Sequence, residues 1–597
     1  MGLSKHNPAR RREAWVLAGL LLFSLLMTLK YFPGVEWDSE YAGNIFQAIH
    51  PEAFPGDPAI GSERSILEKP FQLSSFYLLV KAMGEIWLDD RFTAFFYLGL
   101  VLATLVGVDR IIKLAGLTDV ASRLAIQLVF MRDHQLFDNK VTFAHQPSLN
   151  ATAIALCLIV WMFYASLTRK PLWVFLLLAL LAASLSVKAT AYPILTCLIV
   201  YALQGRRHER YAVGALFGIA VAVFLVGIFF IIPIPEDQQI LIWDTLAGVE
   251  KEEGNPFYPY PSATVMLYLN ALLLFLCSFA YWAPNPDNST IRSLQRLIVV
   301  MVSVYLVFGI YFTFSPDALK VALVAPFSLT RFLRWPQTIA YLLILISLFH
   351  WMKSNETSRG IAFATLVIGA LLIIGPGNYG QWVLLFSSSL GAVLVCRVIW
   401  IRTTALLNQE GGLIAACFRN LPTLFTQTLA LTIGIAFAVT IWTRIPDWKT
   451  WAEIGVIGNS RAAKLFEVSR YFRANTPPDT VILPLDHNPR KPGKLYSPRA
   501  LATRSGRTLP VPISYGNLFN PDEWDFDRRM EKHLRDVQMA FLMNRWTEAT
   551  SLMKELTPPP DYVVIPMDAI RSREGFERYF SEQATMGDFI ILKILGP

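Results

Sequence analysis

The sequence predicts a polytopic α-helical membrane protein with a small extracytoplasmic α/β domain at its C-terminal end. Three observations predict it. Of the 597 residues, 54% are hydrophobic and 16% charged, where soluble domains carry about 25% charged residues. Apolar runs recur from residue 14 to residue 443, many of them long enough for a bilayer crossing. From residue 444 the apolar runs shorten to strand length, and Lys+Arg (22) nearly balance Asp+Glu (19).

The chain opens with "KHNPARRREAWVLAGLLLFSLLMTLKYF", a basic segment and a long apolar stretch with no small-residue cleavage site after it. It reads as a retained signal anchor. Candidate spans follow at 14–30, 92–114, 118–131, 147–167, 171–187, 189–204, 211–232, 263–283, 294–314, 336–352, 360–375, 380–398 and 424–443, thirteen in all. The mixed polarity of "FQLSSFYLLVKAMGEIW" (71–87) reads as an interfacial helix or a further span. Thirteen spans place "ARRR", "TRK" (168–170), "GRRHER" (205–210), "IRSLQR" (291–296) and the region of Arg397, Arg402 and Arg419 on one side, as the excess of Lys and Arg in cytoplasmic loops requires. The N-terminus is then cytoplasmic. Residues 31–91, 132–146, 233–262, 315–335 and everything from 444 onward lie outside.

The formal charge of +8 is spread over short loops that set topology, which argues against a nucleic-acid partner. The five cysteines lie in or beside apolar segments without metal-ligand spacing, so neither a disulfide framework nor a zinc site is expected. Within 444–597, "DTVILPL" (479–485), "DYVVIP" (561–566) and "DFIILKIL" (588–595) predict strands, and "DEWDFDRRMEKHLRDVQMAFLMNRW" predicts a helix.

The outer loop 31–91 holds ten acids against four bases. Most need no explanation, because outer loops require no positive charge. Asp38 and Glu40 are different: they follow the first span by eight to ten residues. Near a membrane surface, desolvation raises a carboxylate pKa and makes a usable base.

The sequence "EWDSEYAGNIFQ", with Asp38, Glu40 and Tyr41 directly after an N-terminal span, resembles the first outer loop of the GT-C superfamily of membrane glycosyltransferases. That superfamily includes protein O-mannosyltransferases, aminoarabinose transferases and oligosaccharyltransferases. The acidic doublet Asp89-Asp90 in "LDDRF", the interfacial helix before it, the span number and the outer C-terminal domain resemble the same family. One departure is plain, since the acids here are spaced Asp-Ser-Glu where the family has adjacent Asp-Glu.

The resemblance implies a bacterial inner-membrane enzyme that takes sugar from a polyprenyl-phosphate donor and passes it, with inversion, to a saccharide, lipid or protein acceptor outside. Asp38 would be the base and Glu40 a supporting or metal-binding acid. Tyr41, Asp89 and Asp90 would be accessory. A divalent metal, Mg or Mn, could be held by outer acids, although some family members use none.

Arg331 and Arg334 in "FSLTRFLRWPQ" could bind the donor phosphate, since i, i+3 spacing puts both on one helix face. Snorkelling beside an aromatic belt completed by Trp335 is the structural alternative. Lys188 interrupts an apolar run; it marks either an outer turn between two short spans or a second contact to phosphate. His145, near Asp138 and Asn139, could bind acceptor or metal, or be a solvated loop histidine. The basic stretch 487–521 could meet an anionic acceptor or headgroup. A flippase of lipid-linked saccharide and a GT-C scaffold without catalysis remain alternatives of other classes.

Overall fold

The computed structural model describes residues 8–31, 42–51, 74–131, 151–204, 209–215, 288–314, 334–354, 460–485, 533–556 and most of 558–595, with a few isolated positions besides. The described residues are mostly helical and carry a small C-terminal sheet. Two compact units divide the chain. The first holds Met1–Met27, Leu98–Gln146 and Thr152–Thr443; the second holds Thr28–Tyr97, Pro147–Ala151 and Arg444–Pro597.

The labelled helices are α1 (Pro8–Tyr31), α2 (Ala42–Ile49), α3 (Ser75–Met83), α4 (Asp90–Leu114), α5 (Val120–Met131), α6 (Ala151–Leu167), α7 (Leu172–Leu185), α8 (Val187–Gln204), α9 (Ser289–Phe314), α10 (Arg334–Ser354) and α11 (Ser460–Asn475). Two more, α12 (533–542) and α13 (Trp546–Lys554), complete them. Among the described residues two stretches, Phe92–Leu114 and Ser289–Val307, are long and apolar enough to cross a membrane. The candidate spans at 360–375, 380–398 and 424–443, and nearly all of 211–232 and 263–283, lie outside the described residues.

In the first unit α6 is largely enclosed, with buried residues around much of its circumference. It packs closely on α4: a Cβ on Gly107 would stand 2.7 Å from Val160 Cγ1, so the two backbones approach because glycine has no side chain there. Cys157 meets Thr104 one turn earlier, and the common offset makes α4 and α6 parallel. Ser186, in extended conformation, breaks the apolar run between α7 and α8. Phe175 near the start of α7 touches Tyr201 near the end of α8 (5.0 Å between ring centroids), so the two form an antiparallel hairpin.

Three helices of this unit expose apolar stripes at helical spacing. On α1 the stripe is Trp15, Leu22 and Leu25; on α7, Trp173, Leu177 and Leu180; on α9, Val299, Leu306 and Val307. Water does not favour such faces at this length, whereas lipid does.

The second unit joins the segment Thr28–Tyr97 to the C-terminal domain. Strands β1 (Ile482–Pro484), β2 (Tyr562–Pro566), β3 (Phe580–Met586) and β4 (Phe589–Ile594) form a sheet ordered β1-β2-β4-β3. The β1-β2 pair is parallel and the other two pairs are antiparallel. Alternation along β2 and β4 supplies two cores. Val563, Ile565, Ile590 and Leu592 face Phe541 and Trp546 of the α12–α13 layer. Val564 and Ile591 face Val468 and Phe472 of α11 on the other side. The domain is therefore an α/β sandwich in three layers, and its predicted strands at 479–485, 561–566 and 588–595 contain β1, β2 and β4.

Candidate functional site

Polar contacts at one end of the first unit fix which helix ends belong together. Glu13 of α1 bonds Lys113 at the end of α4 (2.8 Å) and forks across Arg123 of α5 (3.0 and 3.1 Å). His350 of α10 meets the carbonyl of Ala115 (2.8 Å). A Cβ on Gly116, whose φ is +94°, would lie 3.6 Å from Asn288 Nδ2, just before α9. The parallel run of α6 beside α4 brings residues 165–170 to this end as well. There Tyr201 donates to the carbonyls of Ala165 and Lys170 (both 3.2 Å). The ends gathered here include those of "ARRR", "TRK" and "IRSLQR", together with Lys113, Arg123 and His350, which the charge pattern does not single out.

The centre of this end is ionic and dry. Arg123 is fully buried and its Nε donates to Asp109 Oδ1 (2.8 Å), while Nη2 bonds Asp109 Oδ2. With Glu13 on the remaining side, the guanidinium has a carboxylate on each edge. The hydrogen bond from Arg123 holds the Glu13 carboxyl down at about 2, below its usual 4.5, with Lys113 acting in the same direction against burial. Burying a charge costs several kcal/mol unless it is paired in good geometry. These pairs meet that condition and lock α1, α4 and α5 together.

The opposite end of the unit carries Lys188 and Arg334. Lys188 lies in the first turn of α8, directly after the break at Ser186 and at the far end of the hairpin from Lys170. This is the turn between two short helices that one sequence reading anticipated. Arg334 is the first residue of α10, whose other end holds His350. Trp335 is buried against Phe163 (5.5 Å, 75° between ring planes) and does not belong to an exposed aromatic belt. That corrects the snorkelling alternative in one respect, because the tryptophan serves helix packing.

In the second unit the first loop folds onto itself. Helix α2 begins directly after Tyr41 and buries Ile45, Phe46, Gln47 and Ala48. The segment predicted as interfacial forms α3 and a 3-10 turn over Gly84–Leu88. The nine residues of α3 rise about 14 Å, shorter than a bilayer crossing. Ser74 caps α3 by accepting from the Tyr77 N–H (3.4 Å), and Phe76 meets Trp87 edge-on at 5.3 Å. His50 pairs with Glu85 at 2.8 Å.

The C-terminal domain reaches the same loop. The Arg473 guanidinium of α11 lies 4.7 Å from the centre of the Phe46 ring. Burial lowers the Arg473 pKa, and the nearby Glu85 charge opposes that shift. A cation over an aromatic face in a half-dry setting contributes roughly 1 kcal/mol.

Of the residues singled out from sequence, Asp89 is exposed and ends the 3-10 turn; its carbonyl accepts from the Thr93 N–H and hydroxyl (3.0 and 3.1 Å). Asp90 opens α4. Two acids at a helix start are favoured by the helix dipole, which gives this doublet a structural reason. Asp38, Glu40, Tyr41, His145, Arg331 and the stretch 487–521 lie outside the described residues. Among the described residues no group of three His, Cys, Asp or Glu side chains could hold a metal. Sequence reading missed the Glu13–Arg123–Asp109 cluster, though Asp109 and Arg123, each interrupting an apolar run, were visible signals. No protein-family model matches this chain, and no curated protein matches it.

Proposed function

We propose that the protein is a multi-pass membrane glycosyltransferase of the GT-C type, moving sugar from a polyprenyl-phosphate donor to an acceptor outside the bacterial inner membrane. The observation that carries this reading is the pairing of the first loop with the C-terminal domain, through Arg473 on Phe46. Two segments separated by over four hundred residues meet in one unit, as an outer assignment of both requires. The helix that makes the contact starts directly after the Asp38-Ser39-Glu40-Tyr41 sequence.

In this reading Asp38 removes the proton of the acceptor hydroxyl as its oxygen bonds to the anomeric carbon. The bond from that carbon to the donor phosphate breaks on the opposite face, and polyprenyl phosphate leaves. Arg331 and Arg334, with Lys188, neutralise charge growing on the phosphate. Lys188 and Arg334 supporting this role share one end of the helical unit, away from the ionic cluster. Glu40 orients Asp38 or holds a divalent cation, and Tyr41, Asp89, Asp90 and His145 are its accessory groups. Thirteen spans, a cytoplasmic N-terminus and an outer C-terminal domain complete the proposal.

The test is transfer from a panel of radiolabelled polyprenyl-phosphate sugars by the full chain in lipid, comparing wild type with Asp38→Asn. Removal of a general base lowers transfer by about 100-fold or more. Transfer that survives unchanged would remove Asp38 as the base; translocation without transfer would replace the enzyme by a flippase.

A further inference from the structure

We propose that the end of the helical unit around the ionic cluster carries a binding belt for anionic phospholipid headgroups, made by Arg11 and Trp15 of α1, Lys170 and Trp173 at the start of α7, and Arg296 of α9. The proposal rests on the membrane reading above but concerns the end of the helical unit opposite Lys188 and Arg334.

Three independent features converge on it. First, each apolar stripe continues into a basic group at the same helix end. On α1, Arg11 stands four residues before Trp15; on α7, Lys170 stands three before Trp173; on α9, Arg296 stands three before Val299. On α1 and α9 these intervals put the charge on the face that the stripe occupies, while Lys170 precedes α7 by two residues, next to the extended Pro171 that caps the helix. Second, the contacts of Glu13, Gly116 and Lys170 bring the three helix starts to one end of the unit. Third, the surface charge at that end is basic, although Arg123 is buried at its centre. Arg11, Lys170 and Arg296 are exposed, whereas the acids Glu13, Asp109, Asp119 and Glu209 are wholly or partly buried.

The chemistry selects the occupant. Trp15 and Trp173 are 60% and 68% exposed, and indole rings prefer the boundary where one end is apolar and the other wet. Basic side chains about one turn beyond them reach the headgroup layer, where an anionic surface attracts them. An apolar stripe below a basic, aromatic rim fits a phospholipid with a charged phosphate and an acyl chain. A soluble anion would have no use for the stripe.

The full chain in mild detergent is titrated with phosphatidylglycerol or phosphatidylcholine, and bound lipids are counted by native mass spectrometry. Phosphatidylglycerol is retained preferentially, and raising the salt to about 1 M, where screening acts within about 3 Å, removes most of the preference. The triple variant Arg11→Gln/Lys170→Gln/Arg296→Gln weakens phosphatidylglycerol binding about tenfold or more and leaves phosphatidylcholine unchanged. A matched variant in the C-terminal domain, Arg545→Gln/Arg578→Gln, changes neither. Equal retention of both lipids by the wild type, or an unaltered preference in a folded triple variant, would overturn the belt. Release of the protein from membranes by alkaline carbonate would instead overturn the membrane reading itself.

Discussion

The two units use the same ionic side chains in opposite ways. In the helical unit Glu13, Asp109 and Arg123 are drawn inward, and the arginine is fully buried between two carboxylates. In the second unit His50 and Glu85 form a pair whose acid is 68% exposed. The first arrangement is costly to desolvate and holds only as a complete set. The second costs little and contributes little. The charges that lock helices are largely withdrawn from water, while the second unit keeps the Glu85 carboxylate in it.

Breaking the buried set carries the largest expected effect. Arg123→Leu leaves Asp109 buried without its partner and lowers stability by about 3–5 kcal/mol, read as a fall in thermal midpoint in detergent. Adding Asp109→Leu restores most of the loss, since removing both charges is nearly neutral. A double variant no better than the single one would mean that the arginine acts by more than pairing.

Glu13 gives a smaller, pH-dependent effect. Its carboxyl is held at about 2 in the folded protein against 4.5, so the stabilisation is present above 4.5 and lost as pH falls toward 2. The side chain is 39% exposed, and solvent screening limits the effect to about 1 kcal/mol. Thermal midpoints measured from pH 6 to pH 3 should fall more steeply for wild type than for Glu13→Gln. The smallest effect belongs to the exposed pair: Glu85→Gln should change stability by about 0.5 kcal/mol or less in the same assay.

The sequence made the sheet legible where burial was two-sided. β2 and β4 read as continuous Val, Ile and Leu because each face meets a helix layer. β3, "FSEQATM", went unseen because it is an edge strand with only Phe580 buried, so no apolar pattern marks it. The predicted long helix contains a break: Asn544 adopts φ 57°, and α13 starts anew at Trp546. A single asparagine in left-handed conformation is a weak signal among 25 helix-compatible residues. Of the candidate site, local sequence located Lys188 at a helix break. It could not foresee Arg473 on Phe46 or Glu13 on Arg123, because nothing local pairs residues hundreds or even a hundred positions apart.

The account rests on the first loop and C-terminal domain facing outward while the basic helix ends face the cytoplasm. Single cysteines introduced as Arg578→Cys and Lys170→Cys, treated with a membrane-impermeant thiol reagent in intact spheroplasts, test it most directly. The account predicts labelling at 578 and protection at 170 until the membrane is opened. Labelling at 170 with protection at 578 would contradict the topology and, with it, the placement of Asp38 beside an extracytoplasmic acceptor.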